Sequence, residues 1–271
     1  MINSIGLING GSIMFGRKQL AMLLAEFIGT ATLALVVYTI VGRTSFPLFA
    51  ALAAGGTVAL FTVTVGAFSG AHLNPAITFG LWSVRKISTF KAVANIMFQF
   101  LGGLAAYALI KYFLGHSLES VAGTEFSRKV FAAEAIGTMI FAFGFASAIF
   151  QKHEVSKNAA IIGGSLFVGI LVASLASNAV LNPAVAAGIY SWSWAYASAP
   201  FLGALVGINL YGMVFADEST FPTRLVKAKS SSSRAKSTSA RAKSTSARAK
   251  TTTKSTAKKA PARKKPAARK K

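Results

Sequence analysis

The chain has 271 residues, 53% of them hydrophobic, and its mean hydropathy is +0.54. Its formal net charge is +22, but 18 of the 29 Lys and Arg residues lie from Arg224 onward, where Asp and Glu are absent. The absence of Cys excludes disulfides and thiolate metal sites, and three scattered His residues form no metal cluster, so neither a metal nor a cofactor is expected. The composition predicts an integral membrane protein followed by a separate basic tail.

Residues 1–18 form a short N-terminal segment, and we assign no role to residues 1–16. Six apolar runs of about 20 residues follow, each long enough to cross a hydrocarbon core of about 30 Å. The first run is too long for the apolar part of a signal peptide and no small-residue cleavage site stands out, so we interpret it as a span. The predicted spans lie near 20–41, 47–68, 90–113, 129–150, 158–177 and 195–216.

Two shorter segments, after spans two and five, each begin with Asn-Pro-Ala. The Asn side chain can cap orphan backbone N–H groups and Pro at the first helical position loses no hydrogen bond, so each triplet should open a helix. The predicted helices cover 74–82 and 182–191, and the first would rise only about 12 Å, less than half of the hydrocarbon core. They are therefore expected to be half-spans. Their opening residues are Asn74, Pro75 and Ala76, and Asn182, Pro183 and Ala184.

One offset of 108 residues relates the two halves of the chain. Each half has three spans, an odd number, so the second half must enter the membrane inverted relative to the first. We therefore divide the chain into a first repeat at 19–116, a second repeat at 117–218 and a tail at 219–271. Besides the Asn-Pro-Ala triplets, the offset matches Glu26 with Glu134, Thr30 with Thr138, Gly55-Gly56 with Gly163-Gly164, Ser69 with Ser177, and Gly80 with Gly188.

Several residues of the repeats admit two interpretations. Glu26 and Glu134 place carboxylates within spans, at a cost of about 2.5–3.5 kcal/mol each on insertion scales, and they either relay protons or hold backbone N–H groups of the re-entrant loops. His72 either gates with pH or supports its loop, and support is the more frequent role. The Gly pairs predict close crossing of spans two and five.

The distribution of positive charge predicts the orientation. With the N-terminus inside, seven basic residues face the inner side and four the outer side before the tail is counted, which places both termini in the cytoplasm. The inner residues are Arg17, Lys18, Arg85, Lys86, Lys91, Lys152 and Lys157, and the outer ones are Arg43, Lys111, Arg128 and Lys129.

The two half-helices should bring their N-termini together near the bilayer midplane. Non-helical backbone at that depth is tolerated only where it is buried in protein or lines a water-filled cavity. The positive ends of two helices form a barrier to cations and protons, whereas the amides of Asn74 and Asn182 can offer hydrogen bonds to a neutral solute. The arrangement predicts passage of neutral molecules.

These residues resemble the aquaporin and glycerol-facilitator family, the major intrinsic proteins. The likeness covers about residues 19–216 and rests on the doubled Asn-Pro-Ala with Glu26, Thr30, Glu134 and Thr138. It implies an all-α integral membrane fold of six transmembrane helices and two re-entrant half-helices as an inverted repeat. It also implies a homotetramer with one pore per subunit, located in the cell membrane, that passes water or small uncharged solutes by diffusion. For the two glutamates it favours the structural role.

The sequence departs from the family at the narrowest ring of the pore. The family usually has Arg directly after the second Asn-Pro-Ala, and Val185 stands there; the Asp common in glycerol facilitators is also missing at Ala186 and Ala187. Such a ring either admits glycerol, urea or ammonia besides water, or dewets and conducts poorly. The predicted ring residues are Ala54, Ile170, Ala179 and Val185.

The aromatic residues near the start of the sixth span and the basic tail each admit two interpretations. Trp192, Trp194 and Tyr196 form either an aromatic cage or, more commonly at this depth, interfacial anchors. The tail, with its repeated Arg-Ala-Lys-Ser-Thr-Ser-Ala, should be disordered and bind anionic lipid or nucleic acid.

The candidate functional classes are a channel, a membrane tether, a coupled transporter and an enzyme. A channel is favoured by the duplicated half-helix motif, and a membrane tether that uses the tail is compatible with it. A coupled transporter lacks paired charges at the midplane beyond the two glutamates. The chain is not expected to be an enzyme, since no nucleophile, base and orienting residue form a pattern.

Overall fold

The computed structural model describes residues 16–123, 125–151 and 153–217, and within these ranges all regular secondary structure is helical. Six of the helices, 19 to 26 residues long, are apolar enough to cross a membrane, which confirms the all-α membrane fold with six spans. The predicted tail and nearly all of the predicted N-terminal segment lie outside the described residues. The helices are α1 (Arg17–Val41), α2 (Pro47–Ser69), α3 (Pro75–Ser83), α4 (Thr89–Leu114), α5 (Arg128–Gln151), α6 (Val155–Ala173), α7 (Pro183–Gly188) and α8 (Trp194–Val214).

The short helices α3 and α7 are the two predicted half-spans. Both begin at the proline of Asn-Pro-Ala, with Asn74 and Asn182 as their N-caps. Helix α7 ends at Gly188, three residues before the predicted end. Tyr190 adopts the left-handed conformation (φ 58°), and the Ser191 N–H donates to the Ala186 carbonyl at 2.8 Å, which closes a Schellman turn.

The fifth span also differs from its predicted bounds. Helix α6 begins at Val155 and ends at Ala173, whereas the span was expected to reach Ser177. The Ser174 hydroxyl donates to the Ile170 carbonyl at 2.7 Å and the Ser177 hydroxyl to the Ala173 carbonyl at 3.0 Å. These bonds engage the last carbonyls of the helix, so the re-entrant loop begins earlier than hydropathy indicates.

The packing of the helices follows the inverted repeat. Contacts between α1 and α2 and between α1 and α4 recur as contacts between α5 and α6 and between α5 and α8. Each half-helix packs on the last span of the other repeat, α3 on α8 and α7 on α4. Neither repeat therefore supports its own half-helix alone.

Helices α2 and α6 cross where the two repeats meet, as the Gly pairs predicted. A Cβ atom at Gly55 would lie 2.5 Å from the Gly163 carbonyl oxygen, and one at Gly163 would lie 2.5 Å from that of Gly55. The second glycine of each pair has a different surrounding, because a Cβ at Gly56 or Gly164 would meet no described atom within 4 Å. Only the first glycine of each pair is required for the crossing.

Candidate functional site

The two re-entrant loops are joined by a reciprocal pair of hydrogen bonds. Asn74 Nδ2 donates to the Leu181 carbonyl at 2.8 Å, and Asn182 Nδ2 donates to the Leu73 carbonyl at 2.7 Å. Each Asn Oδ1 caps its own helix, accepting from the N–H of Ala76 at 2.8 Å or of Ala184 at 3.0 Å. Because a side-chain amide carries two N–H hydrogens, each Asn keeps one donor beyond the cross-link.

Both loops contain residues in the left-handed conformation, which is uncommon for residues other than glycine. Ala71 and Leu73 have φ values of 47° and 49°, and their equivalents Ala179 and Leu181 have 51° and 54°. In each loop a serine hydroxyl oxygen accepts the alanine N–H at 2.9 Å, from Ser69 in the first loop and from Ser177 in the second. Hydrogen bonds from the surrounding structure must hold this backbone in place.

Glu26 of α1 supplies such bonds to the first loop. Its carboxylate is fully buried and accepts the backbone N–H of His72 at 3.1 Å and of Leu73 at 2.8 Å. Gln99 Nε2 donates to the same carboxylate at 2.6 Å. A carboxylate with three donors has most of its lost hydration replaced.

Glu134 of α5 occupies the equivalent position behind the second loop. It accepts the backbone N–H of Val180 at 3.0 Å and of Leu181 at 2.7 Å, and the Ser177 hydroxyl donates to it at 2.8 Å. Neither glutamate is among the described residues that line the cavity below. This geometry matches loop support rather than proton relay. The threonines of the motif, Thr30 and Thr138, are buried, and their hydroxyl oxygens have no hydrogen-bond partner within the described chain.

A cavity of about 360 Å³ extends from the connection between α1 and α2 to the two asparagines. Near this connection its lining combines apolar residues with hydroxyl and amide side chains, those of Thr44, Ser45, Ser174 and Asn178. Its inner end is lined by Asn74, Asn182 and His72. The described lining contains no Asp, Glu, Lys or Arg.

The four predicted ring residues all line this cavity, and all four are buried. Ala54 comes from α2, Ile170 from α6, Ala179 from the second loop and Val185 from α7. Sequence reasoning missed two larger lining residues, Leu33 and Phe141, which are equivalent under the repeat. Helical spacing could have identified both residues. Each lies two turns after a motif glutamate and therefore on the same face of its helix. The wall of the cavity is therefore largely apolar.

His72 belongs to the same wall and to a buried polar cluster behind it. Its Nδ1 lies 3.1 Å from Thr78 Oγ1 and 3.5 Å from Asn95 Nδ2. Its ring packs on Phe145 in a T-shaped arrangement, with 5.9 Å between ring centroids. The side chain thus connects the cavity to α3, α4 and α5.

The aromatic residues at the start of α8 separate into two environments. Trp192 and Trp194 are 48% and 80% exposed, whereas Tyr196 is buried and its hydroxyl oxygen accepts the Asn178 N–H at 3.0 Å. Tyr196 therefore supports the second loop, a role that its position in the sequence did not reveal. The exposed tryptophans fit the expectation of interfacial anchors.

Comparison with known proteins adds to this geometry. The family profile described as Major intrinsic protein matches residues 16–215. The chain belongs to that family. It is 32% identical over 207 residues to Aquaporin NIP3-1 of Zea mays, covering 70% of this chain and 68% of the relative. It is 30% identical over 194 residues to Aquaporin-1 of Homo sapiens, covering 66% and 72% respectively.

A solved structure gives the same fold. The X-ray structure of the aquaglyceroporin from Plasmodium falciparum superimposes with a TM-score of 0.62 at 19% identity, covering 72% of this chain and 96% of that one. At this identity the likeness concerns the fold alone. As a major intrinsic protein, the chain is a membrane channel and not an enzyme.

Proposed function

We propose that this major intrinsic protein passes water and small uncharged solutes such as glycerol, urea or ammonia, and excludes ions. The observation that carries the proposal is the cavity ending at Asn74 and Asn182, with an apolar ring and no Asp, Glu, Lys or Arg in its described wall. Solutes meet hydroxyl groups and apolar residues near the connection between α1 and α2, an apolar ring and amide donors at the inner end. Small neutral molecules need few hydrogen bonds from the protein in place of their hydrating water, so they can cross the apolar part of the cavity.

Ion exclusion has two physical supports. Ala54, Ile170, Ala179 and Val185 offer no side-chain groups to replace the hydration shell of an ion, so dehydration within the ring is unfavourable. The N-termini of α3 and α7 lie side by side, because each N-cap Asn donates to the other loop. Their backbone dipoles oppose the approach of cations, protons included.

The decisive residue for solute selectivity is Val185. It stands where the family usually carries Arg, so the ring lacks a fixed charge and the donors that would hold a solute. We infer that the ring is wider and less selective than one containing Arg. A ring that dewets and conducts neither water nor solutes would contradict this inference.

Stopped-flow light scattering on proteoliposomes tests the proposal. The protein should raise osmotic water permeability and the entry of glycerol and urea above those of empty vesicles. Val185→Arg should reduce glycerol and urea entry more than water flow, because it fills the ring and adds charge. Val185→Met is the matched control, as it adds length without charge. If folded protein leaves vesicles as impermeable as empty ones, the proposal fails.

A second activity is proposed for the basic tail, from sequence alone. From Arg224 onward 18 Lys and Arg residues occur without an acidic or aromatic residue. Such a segment binds anionic lipid or nucleic acid through charge, with steep salt dependence and without base stacking. Deleting 224–271 should abolish binding to anionic vesicles and to DNA and leave permeability unchanged. Comparing the two polyanions with full-length protein decides which partner is preferred.

We further propose a homotetramer in the cell membrane with both termini in the cytoplasm. The support is family membership and the excess of basic residues on one side of the spans. Native mass spectrometry of the detergent-solubilised protein tests the assembly. Protease accessibility of the tail in sealed vesicles of known orientation tests the topology.

A further inference from the structure

A continuous chain of hydrogen bonds runs behind the first re-entrant loop, from Glu26 to the cavity. Gln99 Nε2 lies 2.6 Å from Glu26 Oε2 and 2.9 Å from Thr78 Oγ1, and Thr78 Oγ1 lies 3.1 Å from His72 Nδ1. All four side chains are buried, none more than 3% exposed. Because the atoms that form these links are packed against one another, each donor and acceptor role constrains the next.

The first link has one direction. Both oxygens of Glu26 accept backbone N–H groups, from His72 and from Leu73, so the carboxylate acts as an acceptor. Gln99 must therefore present its amide nitrogen and not its oxygen at 2.6 Å. The second hydrogen of the same nitrogen is directed to Thr78 Oγ1 at 2.9 Å.

The second link follows from the first. Having accepted from Gln99, the Thr78 hydroxyl has one proton to donate. Its candidate acceptors are His72 Nδ1 at 3.1 Å and Gln99 Oε1 at 3.4 Å, and the latter belongs to the amide group that already donates to it. A proton directed at Gln99 Oε1 would make a long bond back to the amide that already donates to the hydroxyl, so we assign the Thr78 proton to the 3.1 Å contact and the acceptor role to Nδ1 of His72.

The surroundings of Asn95 support the same assignment of Nδ1 as an acceptor. Its Nδ2 lies 3.5 Å from His72 Nδ1, and its buried Oδ1 has no partner within the described chain. If the nitrogen and oxygen of this amide were exchanged, the buried nitrogen would have no acceptor. Buried donors without a partner are rarer than buried acceptors without one. The two polar neighbours of Nδ1 are therefore both donors. With Nδ1 unprotonated, the single proton of the neutral ring is on Nε2.

We propose that this one-way chain holds His72 as the Nε2–H tautomer and makes it a third hydrogen-bond donor on the pore wall, beside Asn74 and Asn182. The inference rests on the proposed channel function. His72 lines the cavity, and its Nε2 has no hydrogen-bond partner among the described residues. Three donors around the inner end select neutral solutes that present a lone pair, such as a water, hydroxyl or carbonyl oxygen.

Gly70 keeps the Nε2 side of the ring open. A Cβ atom at this position would lie 2.7 Å from Nε2, and the residue has a φ of 95°, a conformation that other residues rarely adopt. The second loop has no counterpart of the hydrogen-bonded chain that holds His72. The equivalents of His72, Thr78 and Gln99 are Val180, Ala186 and, across the shorter second connection, Pro200. The additional donor therefore lies on one side of the pore only.

Magic-angle-spinning NMR of the histidine-labelled, full-length protein in liposomes near pH 7.5 tests the tautomer. Loss of a signal in His72→Asn identifies the residue among the three histidines. We expect a protonated Nε2 and an unprotonated Nδ1, with Nε2–H in contact with water. Thr78→Val should weaken the preference for this tautomer, because it removes the nearer of the two donors to Nδ1 at nearly constant volume and leaves only Asn95 at 3.5 Å, and Thr78→Ser should retain it. A protonated Nδ1 in the parent, or a Nε2–H sealed from water, overturns the proposal.

Permeability separates the donor role from loop support. Thr78→Val should lower water permeability by about two- to tenfold, the effect of one lost hydrogen bond, and Thr78→Ser should restore it. If Thr78→Val changes the tautomer and leaves permeability unchanged in folded protein, His72 is not a pore donor. If the parent itself is impermeable, the proposed channel function fails, whereas the NMR experiment still decides the tautomer and its water contact.

Discussion

The two re-entrant loops have the same backbone but different support. Both place an alanine and a leucine in the left-handed conformation and anchor two N–H groups on a buried glutamate. Behind the first loop stand Gln99 and Thr78, whereas the second uses a hydrogen bond from the Ser177 hydroxyl to Glu134 and the hydroxyl of Tyr196. The elements present in both copies are those that the half-helix requires. The supporting residues that differ between the loops can differ in chemistry without loss of the half-helix.

The loops also differ in how closely their half-helices pack. A Cβ atom at Gly103 of α4 would lie 2.2 Å from the Ala184 carbonyl oxygen of α7. The equivalent residue behind α3 is Ala204, which already carries a methyl group. Helix α7, which carries Val185, therefore lies against the backbone of Gly103 with no side chain between them, whereas α3 faces a residue with a methyl group.

Removing the shared anchors should have the largest effect. Glu26→Leu and Glu134→Leu each leave two backbone N–H groups unpaired, and we expect each to lower the free energy of unfolding by about 2–6 kcal/mol. Reversible denaturation in mixed micelles measures the loss. Glu125→Leu, at an exposed loop carboxylate, is the control and should stay within about 0.5 kcal/mol. A tolerated change at one glutamate alone would show that the loops do not share their anchor.

Removing an unshared anchor should cost less. Gln99→Leu deletes one bond to the Glu26 carboxylate and the link to Thr78, and we expect a loss of about 1.5–3 kcal/mol. The same micelle denaturation measures it, with Gln151→Leu as a comparison that deletes one hydrogen bond to the neutral Tyr211 hydroxyl at an exposed residue. A loss as large as that of Glu26→Leu would mean that Gln99, and not the backbone, is the main partner of the carboxylate.

The packing difference can be tested with a methyl group. Gly103→Ala should destabilise the protein by about 1–3 kcal/mol, since α7 must shift away from α4. Because α7 carries Val185, we expect the ratio of glycerol to water permeability to change as well. Gly164→Ala, whose Cβ would meet nothing within 4 Å, is the matched control and should be neutral. Equal behaviour of the two variants would contradict the close contact.

The smallest effect is expected at the hydroxyl that supports the second loop. Tyr196→Phe leaves the Asn178 N–H without its acceptor, which should reduce stability by about 0.5–1.5 kcal/mol. Tyr112→Phe, at a ring that is 78% exposed, serves as the control for removing a tyrosine hydroxyl. Thermal unfolding in detergent is sensitive enough to separate the two. A Tyr196→Phe variant as stable as that control would remove Tyr196 from the loop's support.

The features that the sequence predicted are local or periodic. The six spans follow from apolar length, and Asn-Pro marks the start of α3 and α7 because cap and first residue are neighbours in the chain. The offset of 108 located Glu134 behind the second loop once Glu26 was noted. The end of α7 was not predictable, since Tyr190 gives no sign of a left-handed turn. The contacts of Gln99 and Tyr196 required the fold, as each lies on a span far along the chain from the loop it supports.

The reciprocal bonds between Asn74 and Asn182 have a consequence for biosynthesis. The first loop needs the Asn182 amide as a donor for its Leu73 carbonyl, and its half-helix rests on α8, which leaves the ribosome after the other described spans. While only the first repeat has emerged, residues 70–83 lack both the partner and the surface on which they lie. Insertion of α3 into its final position must therefore wait for the whole second repeat, and the pore is completed in one late step from both sides.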